Sequence, residues 1–321
     1  MPRLFACIAP LLLSTLLVAS AGTAQATDVV RFTLEPARKD GHVRASFRKA
    51  DRDNHNWSTS FPPSELVGLD SAALRGSASH PIRFAIVREA GRLDCAGNGA
   101  SSMAVGSCNF AADEGFLSFL ASRGMRRPTG DQAFGLMAVN AKREVVEALA
   151  NARYPVPTAD QLMGLTALGV SSRYVADLAR VGYRPSNLDT LMQFRALDIT
   201  PEFIQGFVRL GYGNLPTDAL VQFKALGITA DYVAGFERIG YRAVPADELV
   251  QLKALGITPE FVIGFQRLGY AHLPVDQLVQ LKALDVTPDY VRSVQAGSAE
   301  RLSPDRLVQL RALGHRPKPR R

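Results

Sequence analysis

The stretch LVQLKALGITPEFVIGFQRLGY, Leu249–Tyr270, decides the fold. It returns with few changes as LVQFKALGITADYVAGFERIGY at Leu220–Tyr241 and as LVQLKALDVTPDYVRSV at Leu278–Val294. Working outward, Tyr154, Tyr183, Tyr212, Tyr241 and Tyr270 stand 29 residues apart. An acid follows six residues after each such position, as Asp131, Asp160, Asp189, Asp218, Asp247, Asp276 and Asp305. Alanine follows at thirteen, from Ala138 and Ala167 through Ala312. A fixed period of this length marks stacked supersecondary units. Counted from Met125, which replaces the first tyrosine, there are six full units and a truncated seventh.

Each unit reads as two short helices. The first opens at Thr129, Thr158, Asn187 or Ser303, side chains suited to capping, or at Pro216, Pro245 and Pro274. The repeated Asp falls in the first turn, where it complements the helix dipole, so its recurrence is structural rather than catalytic. Gly169, Gly227, Gly256 and Gly314, or Asn140, Asp198 and Asp285, stop the helix. Thr200, Thr229, Thr258 and Thr287 cap the second helix, and Gly182, Gly211, Gly240 and Gly269 end it. Leu249, Leu252 and Leu255, with Val250 and Ala254, predict a first helix packed on several sides. Phe261, Phe265 and Leu268 line the second, and Gly206, Gly235 and Gly264 permit close approach of neighbouring second helices. A single unit of this size buries too little to persist alone, whereas stacked units share their faces. The segment from Asp113 to Met125 matches a lone second helix, so the array starts there with a half unit.

The rest of the chain differs in kind. Residues 1–26 carry Arg3, a leucine-dominated apolar run and an Ala24-Gln25-Ala26 cleavage site, the pattern of a signal peptide. The expected protein is therefore exported, periplasmic or secreted, and no later segment is apolar enough for a membrane helix. Without that leader the chain holds 36 basic and 30 acidic residues, a mild excess partly gathered in the tail at 315–321. Cys95 and Cys108 then predict a disulfide, whose short loop would stabilise the fold by about 3 kcal/mol. Residues 27–112 form a β-rich domain: Val29–Leu34 and Val43–Phe47 alternate as strands around a Lys39-Asp40-Gly41 turn, and Ile82–Val87 is a third. Leu93–Cys95 and Ser107–Phe110 would close a hairpin around a Gly/Ser-rich loop, Ala96–Gly106, with short helical turns at Pro63–Leu66 and Ser71–Leu74. The fold class is thus α+β, with a small β-rich N-terminal domain, an all-α two-helix repeat solenoid over 113–314, and a basic tail.

Motifs that suggest chemistry fail on context. Ser46-Phe47-Arg48-Lys49 fits S-x-x-K, but its serine sits in a strand and no K-T-G follows. Asp51–Asn56 imitates a calcium loop, yet Asn56 stands where glycine is needed and Pro62 where glutamate is needed. No H-E-x-x-H occurs, and no metal or cofactor is implied. What recurs is surface: Gln193, Gln222, Gln251, Gln280 and Gln309 on the first helix, and Arg180, Arg209, Arg238 and Arg267 in the last turn of the second. These ladders are the candidate partner-binding residues of an extended surface, with a solvated face and dipole complementarity as their structural accounts.

Leu252-Lys253-Ala254-Leu255-Gly256-Ile257-Thr258-Pro259-Glu260-Phe261 and its copies resemble a bacterial repeat family of the form LxxLRALGVTPEYIRELRALGY. That family occurs in exported proteins and as a tail on BlaR-type membrane metallopeptidases. The resemblance spans Asp113 to about Gly314, and the stretch ending Cys108-Asn109-Phe110 is similar to the domain that often precedes such repeats. It implies a helical-repeat module without peptidase activity, because the zinc motif and membrane helices are missing. The expected function is a non-enzymatic scaffold for a protein or peptide partner. The L-x-x-L-G pattern also resembles mitochondrial transcription-termination factors, but export and mild basicity disfavour nucleic acid. A hydrolase centred on the β domain ranks last.

Overall fold

The computed structural model describes residues 29–37, 41–49, 56–70, 74, 77–296 and 300–315. The leader, Lys39-Asp40, most of the calcium-like motif (Asp51–His55), Ser71–Ala73 and the tail beyond His315 lie outside the described residues. The chain divides into two compact units. The first runs up to Val87 and includes Leu93–Ala111; the second holds Arg88–Arg92 and everything from Ala112 onward.

The first unit is one antiparallel sheet of six strands: β1 (Val29–Pro36), β2 (Val43–Lys49), β3 (Asn56–Phe61), β4 (His80–Arg88), β5 (Gly91–Ala100) and β6 (Met103–Ala112). Their order is β3-β2-β1-β6-β5-β4. Alternation sends Val30, Phe32, Leu34, Val43, Ala45, Phe47 and Phe61 to the buried side, where Phe47 stacks on Trp57 with ring centroids 4.8 Å apart. Cys95 and Cys108 share this side and are bonded, with an S–S length of 2.04 Å. A 3-10 turn occupies Pro63–Glu65, and Val67 then bridges Ala85 at β4.

Two readings of this unit need correction. β3 is a strand not foreseen from sequence; its alternation is carried by Trp57, Thr59 and Phe61 against serines. The expected loop Ala96–Gly106 is mostly strand, because Ser101 and Ser102 form the turn alone at φ 50° and 68°. Gly97 and Gly106, read as loop residues, serve close approach instead: a Cβ on Gly97 would lie 2.1 Å from the carbonyl oxygen of Val105.

The second unit is a run of helices. Even-numbered members are the first helices of the repeats: α2 (Gly130–Ala138), α4 (Ala159–Ala167), α6 (Leu188–Ala196), α8 (Thr217–Leu226), α10 (Ala246–Ala254), α12 (Val275–Ala283) and α14 (Pro304–Ala312). Odd-numbered members are the second helices: α1 (Glu114–Ser122), α3 (Arg143–Asn151), α5 (Ser172–Arg180), α7 (Pro201–Val208), α9 (Ala230–Arg238), α11 (Pro259–Gln266) and α13 (Pro288–Gln295). The threonine caps accept from the backbone three residues on, as Thr258 Oγ1 does from Phe261 N at 3.3 Å. Asp113 caps the half unit in the same way, accepting from Phe116 N at 2.6 Å. Left-handed backbone follows each even helix, at Asn140, Asp198 and Asp285 as well as at the glycines.

Even helices pack on even ones and odd on odd: α8 on α10, α10 on α12, α9 on α11, α11 on α13. The array is therefore two layers deep, with Leu249, Leu252 and Phe265 between them at 0% exposure and most of their equivalents buried as well. The expected packing of the first helix on several sides holds for the even layer, but not all round. Leu249 and Leu252 are buried, but Val250 is half-buried, Ala254 is exposed and Leu255 keeps 36% of its surface in solvent. The even helices meet neighbours only along the row and below, so their fourth side remains open.

Candidate partner-binding surface

That open side is built by helical spacing. In α8, Asp218, Gln222 and Ala225 recur at i, i+4 and i+7, opposite the buried Leu220 and Phe223. Gln193, Gln222, Gln251, Gln280 and Gln309 are all exposed. Ala196, Ala225, Ala254 and Ala283 stand one turn on, also exposed. The leucine that follows ends the helix with its side chain beyond the last turn, so Leu168, Leu226, Leu255 and Leu284 are 38%, 39%, 36% and 36% exposed. The rungs of Gln222, Gln251 and Gln280 thus each offer an amide, a methyl and an isobutyl group, whereas Leu197 beside Gln193 is half-buried and Leu168 stands in a repeat with Gly164 in place of the glutamine. Among the described residues Gln193, Gln222, Gln251 and Gln280 form no side-chain hydrogen bond, whereas Gln309 accepts from Arg306 at 3.2 Å.

A second ladder lies beside the glutamines and was not singled out from sequence. Arg195, Lys224, Lys253, Lys282 and Arg311 hold their cationic heads over the rings of Tyr174, Phe203, Tyr232, Phe261 and Tyr290, at 5.5, 5.1, 4.7, 4.9 and 5.1 Å. Two of them also donate to the turn of the preceding repeat, Arg195 to Gly169 O at 3.2 Å and Arg311 to Leu284 O at 3.1 Å. These cations knit one repeat to the next. The signal was available in principle, since each cation follows its ring by 21 residues. Burial pushes the Tyr174 phenol up to about 12, against the pull of the Arg195 charge.

The arginines predicted as partner contacts sit elsewhere. Arg180, Arg209, Arg238 and Arg267 are exposed at the C-terminal ends of α5, α7, α9 and α11, in the odd layer. Arg180 is paired with Asp177 at 2.6 Å, while Arg209, Arg238 and Arg267 form no ion pair among the described residues. The structure therefore joins the glutamines to alanines and leucines, and separates them from the arginines by a helix layer. The odd layer also carries a groove of about 580 Å³ between α3 and α5, with Glu144, Glu147 and Asn151 on one wall and Ser172, Arg173 and Ala176 on the other.

In the strand unit, Ser46 is exposed and Lys49 is buried, because residues three apart in a strand point to opposite faces. The S-x-x-K pair does not assemble; Ser46 Oγ instead lies 3.0 Å from Ser58 Oγ. Among the described residues no group of His, Cys, Asp and Glu is placed to hold a metal, and no helix is long and apolar enough to cross a membrane. No protein-family model matches the chain, and no curated protein matches it.

Proposed function

We propose that this chain is an exported, non-enzymatic scaffold that binds an extended protein or peptide along the even-helix face. One observation carries the reading: five exposed glutamines at 29-residue spacing, each beside an exposed alanine and, in four of the five, an exposed leucine. A primary amide offers both donors and an acceptor, the complement of a peptide backbone. An adjacent methyl admits close approach, and an exposed leucine takes an apolar side chain. Stacked repeats multiply such weak contacts along one surface. The resemblance to exported bacterial repeat proteins supports the same reading, as do the leader-like N-terminus and the disulfide of Cys95 with Cys108. A nucleic-acid role is disfavoured, because the cations nearest this face are held over aromatic rings and acids recur on every even helix.

The test exchanges Gln222, Gln251 and Gln280 for glutamate, near-isosteric changes at exposed positions. Affinity capture from the native cell envelope should lose its specific protein partners with this variant and keep them with Arg209→Glu, Arg238→Glu and Arg267→Glu combined. Partners lost only with the arginine variant would move the surface to the odd layer. Partners retained by both would end the proposal. Salt-sensitive capture of DNA or RNA would favour the nucleic-acid reading instead.

A further inference from the structure

The outer face of the sheet carries a charge arrangement that strand pairing alone does not favour. Arg31 on β1 and Arg48 on β2 are direct cross-strand partners, and both are exposed. Like charges opposite one another in an antiparallel pair repel. Among the described residues neither guanidinium has an acidic partner. The acid on the same strands, Glu35, stands opposite Arg44 instead.

What surrounds the two arginines is polar and ordered. Asn56 on β3 faces Arg48 and accepts from its Nε at 3.2 Å, which fixes the guanidinium while leaving its terminal nitrogens to point elsewhere. The adjacent row across the same strands is Ser58, Ser46 and Thr33, in register, with the two serine hydroxyls 3.0 Å apart. These residues line a shallow depression of about 470 Å³, with Val105 and Gly106 of β6 forming its far edge. A pair of forked cations beside a row of hydroxyls suits a group with several anionic oxygens in a tetrahedral array. A carboxylate, with one charge and two oxygens, would leave the second guanidinium unmatched.

We propose that the outer face of β1–β3 is a binding site for a phosphoryl anion, held by Arg31 and Arg48 and hydrogen-bonded by Ser46, Ser58 and Thr33. The anion can arrive as a small phosphate or as the headgroup of an acidic phospholipid, and the two sources are distinguished experimentally. This site is independent of the helical ladders and of any partner they bind.

The full chain is titrated with inorganic phosphate by calorimetry, with acetate as the control anion, and separately with phosphatidylglycerol vesicles in a flotation assay. Three variants accompany it: Arg31→Gln with Arg48→Gln, Arg31→Lys with Arg48→Lys, and Arg44→Gln. Binding of phosphate or of vesicles should weaken about tenfold or more in the double glutamine variant, the loss expected for charge-assisted hydrogen bonds. The double lysine variant should fall between, since it keeps the charges and loses the fork. Arg44→Gln should bind like the parent. Phosphate binding places the source in solution, and vesicle binding without phosphate binding assigns it to a headgroup. Folding is checked by Tm: relief of the repulsion leaves the double glutamine variant at least as stable as the parent, and phosphate, where it binds, raises the Tm of the parent and of Arg44→Gln but not of the double glutamine variant. Absence of both binding modes in the parent, or equal binding by parent and double glutamine variant, overturns the proposal.

Discussion

The hydroxyl of Tyr241 donates to the carbonyl of Leu273, 2.6 Å away in the next repeat. Tyr212 does the same to Val244 at 2.8 Å, and Tyr270 to Leu302 at 2.6 Å. The repeated tyrosine is thus a fastener between units: its ring packs at the end of one hairpin and its hydroxyl satisfies a carbonyl just before the next even helix. A second set alternates. Tyr174 and Tyr232 donate to Ile199 and Ile257 at 2.7 Å, but the equivalent positions in the intervening repeats are Phe203 and Phe261. Phenylalanine is therefore accepted at that position and absent from the other. Tyr241→Phe should cost about 0.5–1.5 kcal/mol, the net worth of one hydrogen bond plus its orphaned carbonyl, and Tyr232→Phe should cost less. Urea denaturation of both variants checks the order; a larger loss for Tyr232→Phe would show that the alternation is not a tolerance.

Between helices, spacing is set by glycine against proline. A Cβ on Gly264 would lie 2.5 Å from Cγ of Pro288, and one on Gly235 2.7 Å from Cγ of Pro259. Both prolines open the next odd helix, and a pyrrolidine ring cannot swing aside as a flexible side chain can. Gly264→Ala should push α11 and α13 apart and lower stability by about 1–3 kcal/mol, despite the higher helix propensity of alanine. Gly130→Ala, in the first turn of α2 with nothing within 4 Å, should be neutral or stabilising. Equal effects in thermal denaturation would mean that the odd helices are not spaced by contact. These elements also show what sequence could reveal. The caps, the left-handed stops and the close-approach glycines were legible because each repeats in phase with Tyr183, Tyr212 and Tyr241. β3 was hidden because its exposed positions, Asn56, Ser58 and Ser60, resemble loop composition. The exposure of Leu226 and Leu255 was hidden for a different reason: periodicity assigns them to an apolar face, and only the open side of the even layer shows that the face continues into solvent. The glutamine ladder was readable as recurrence, but its company of alanine and leucine required knowing which helices share a layer.

At the scale of the whole array, each hairpin leans on those before and after it, so the 29-residue period is a mechanical register as well as a sequence one. Removing Gly213–Tyr241, one period, joins Tyr212 to Arg242 and puts α10 where α8 had packed. Tyr212 then meets the carbonyl of Leu273 and Lys253 comes over Phe203, while Gly206, which faces Ala230 in the parent, meets Pro259 as Gly235 does. The shortened chain should fold cooperatively, with its helical circular dichroism reduced by about one repeat and a urea m-value lowered in proportion to the surface lost. Removing only Gly213–Leu226 instead deletes an even helix and forces two odd helices into succession, which leaves the buried face of one row unmatched; this variant should lose the cooperative transition. The isolated pair Gly213–Tyr270 has two hairpins and open ends on both sides, and should be largely unfolded in water. An isolated pair as stable as the parent, or a half-period deletion that folds as well as the full-period one, would mean that the hairpins are self-sufficient. The surface rungs they display would then be ordered one at a time, and a partner spanning several of them would gain nothing from the stack.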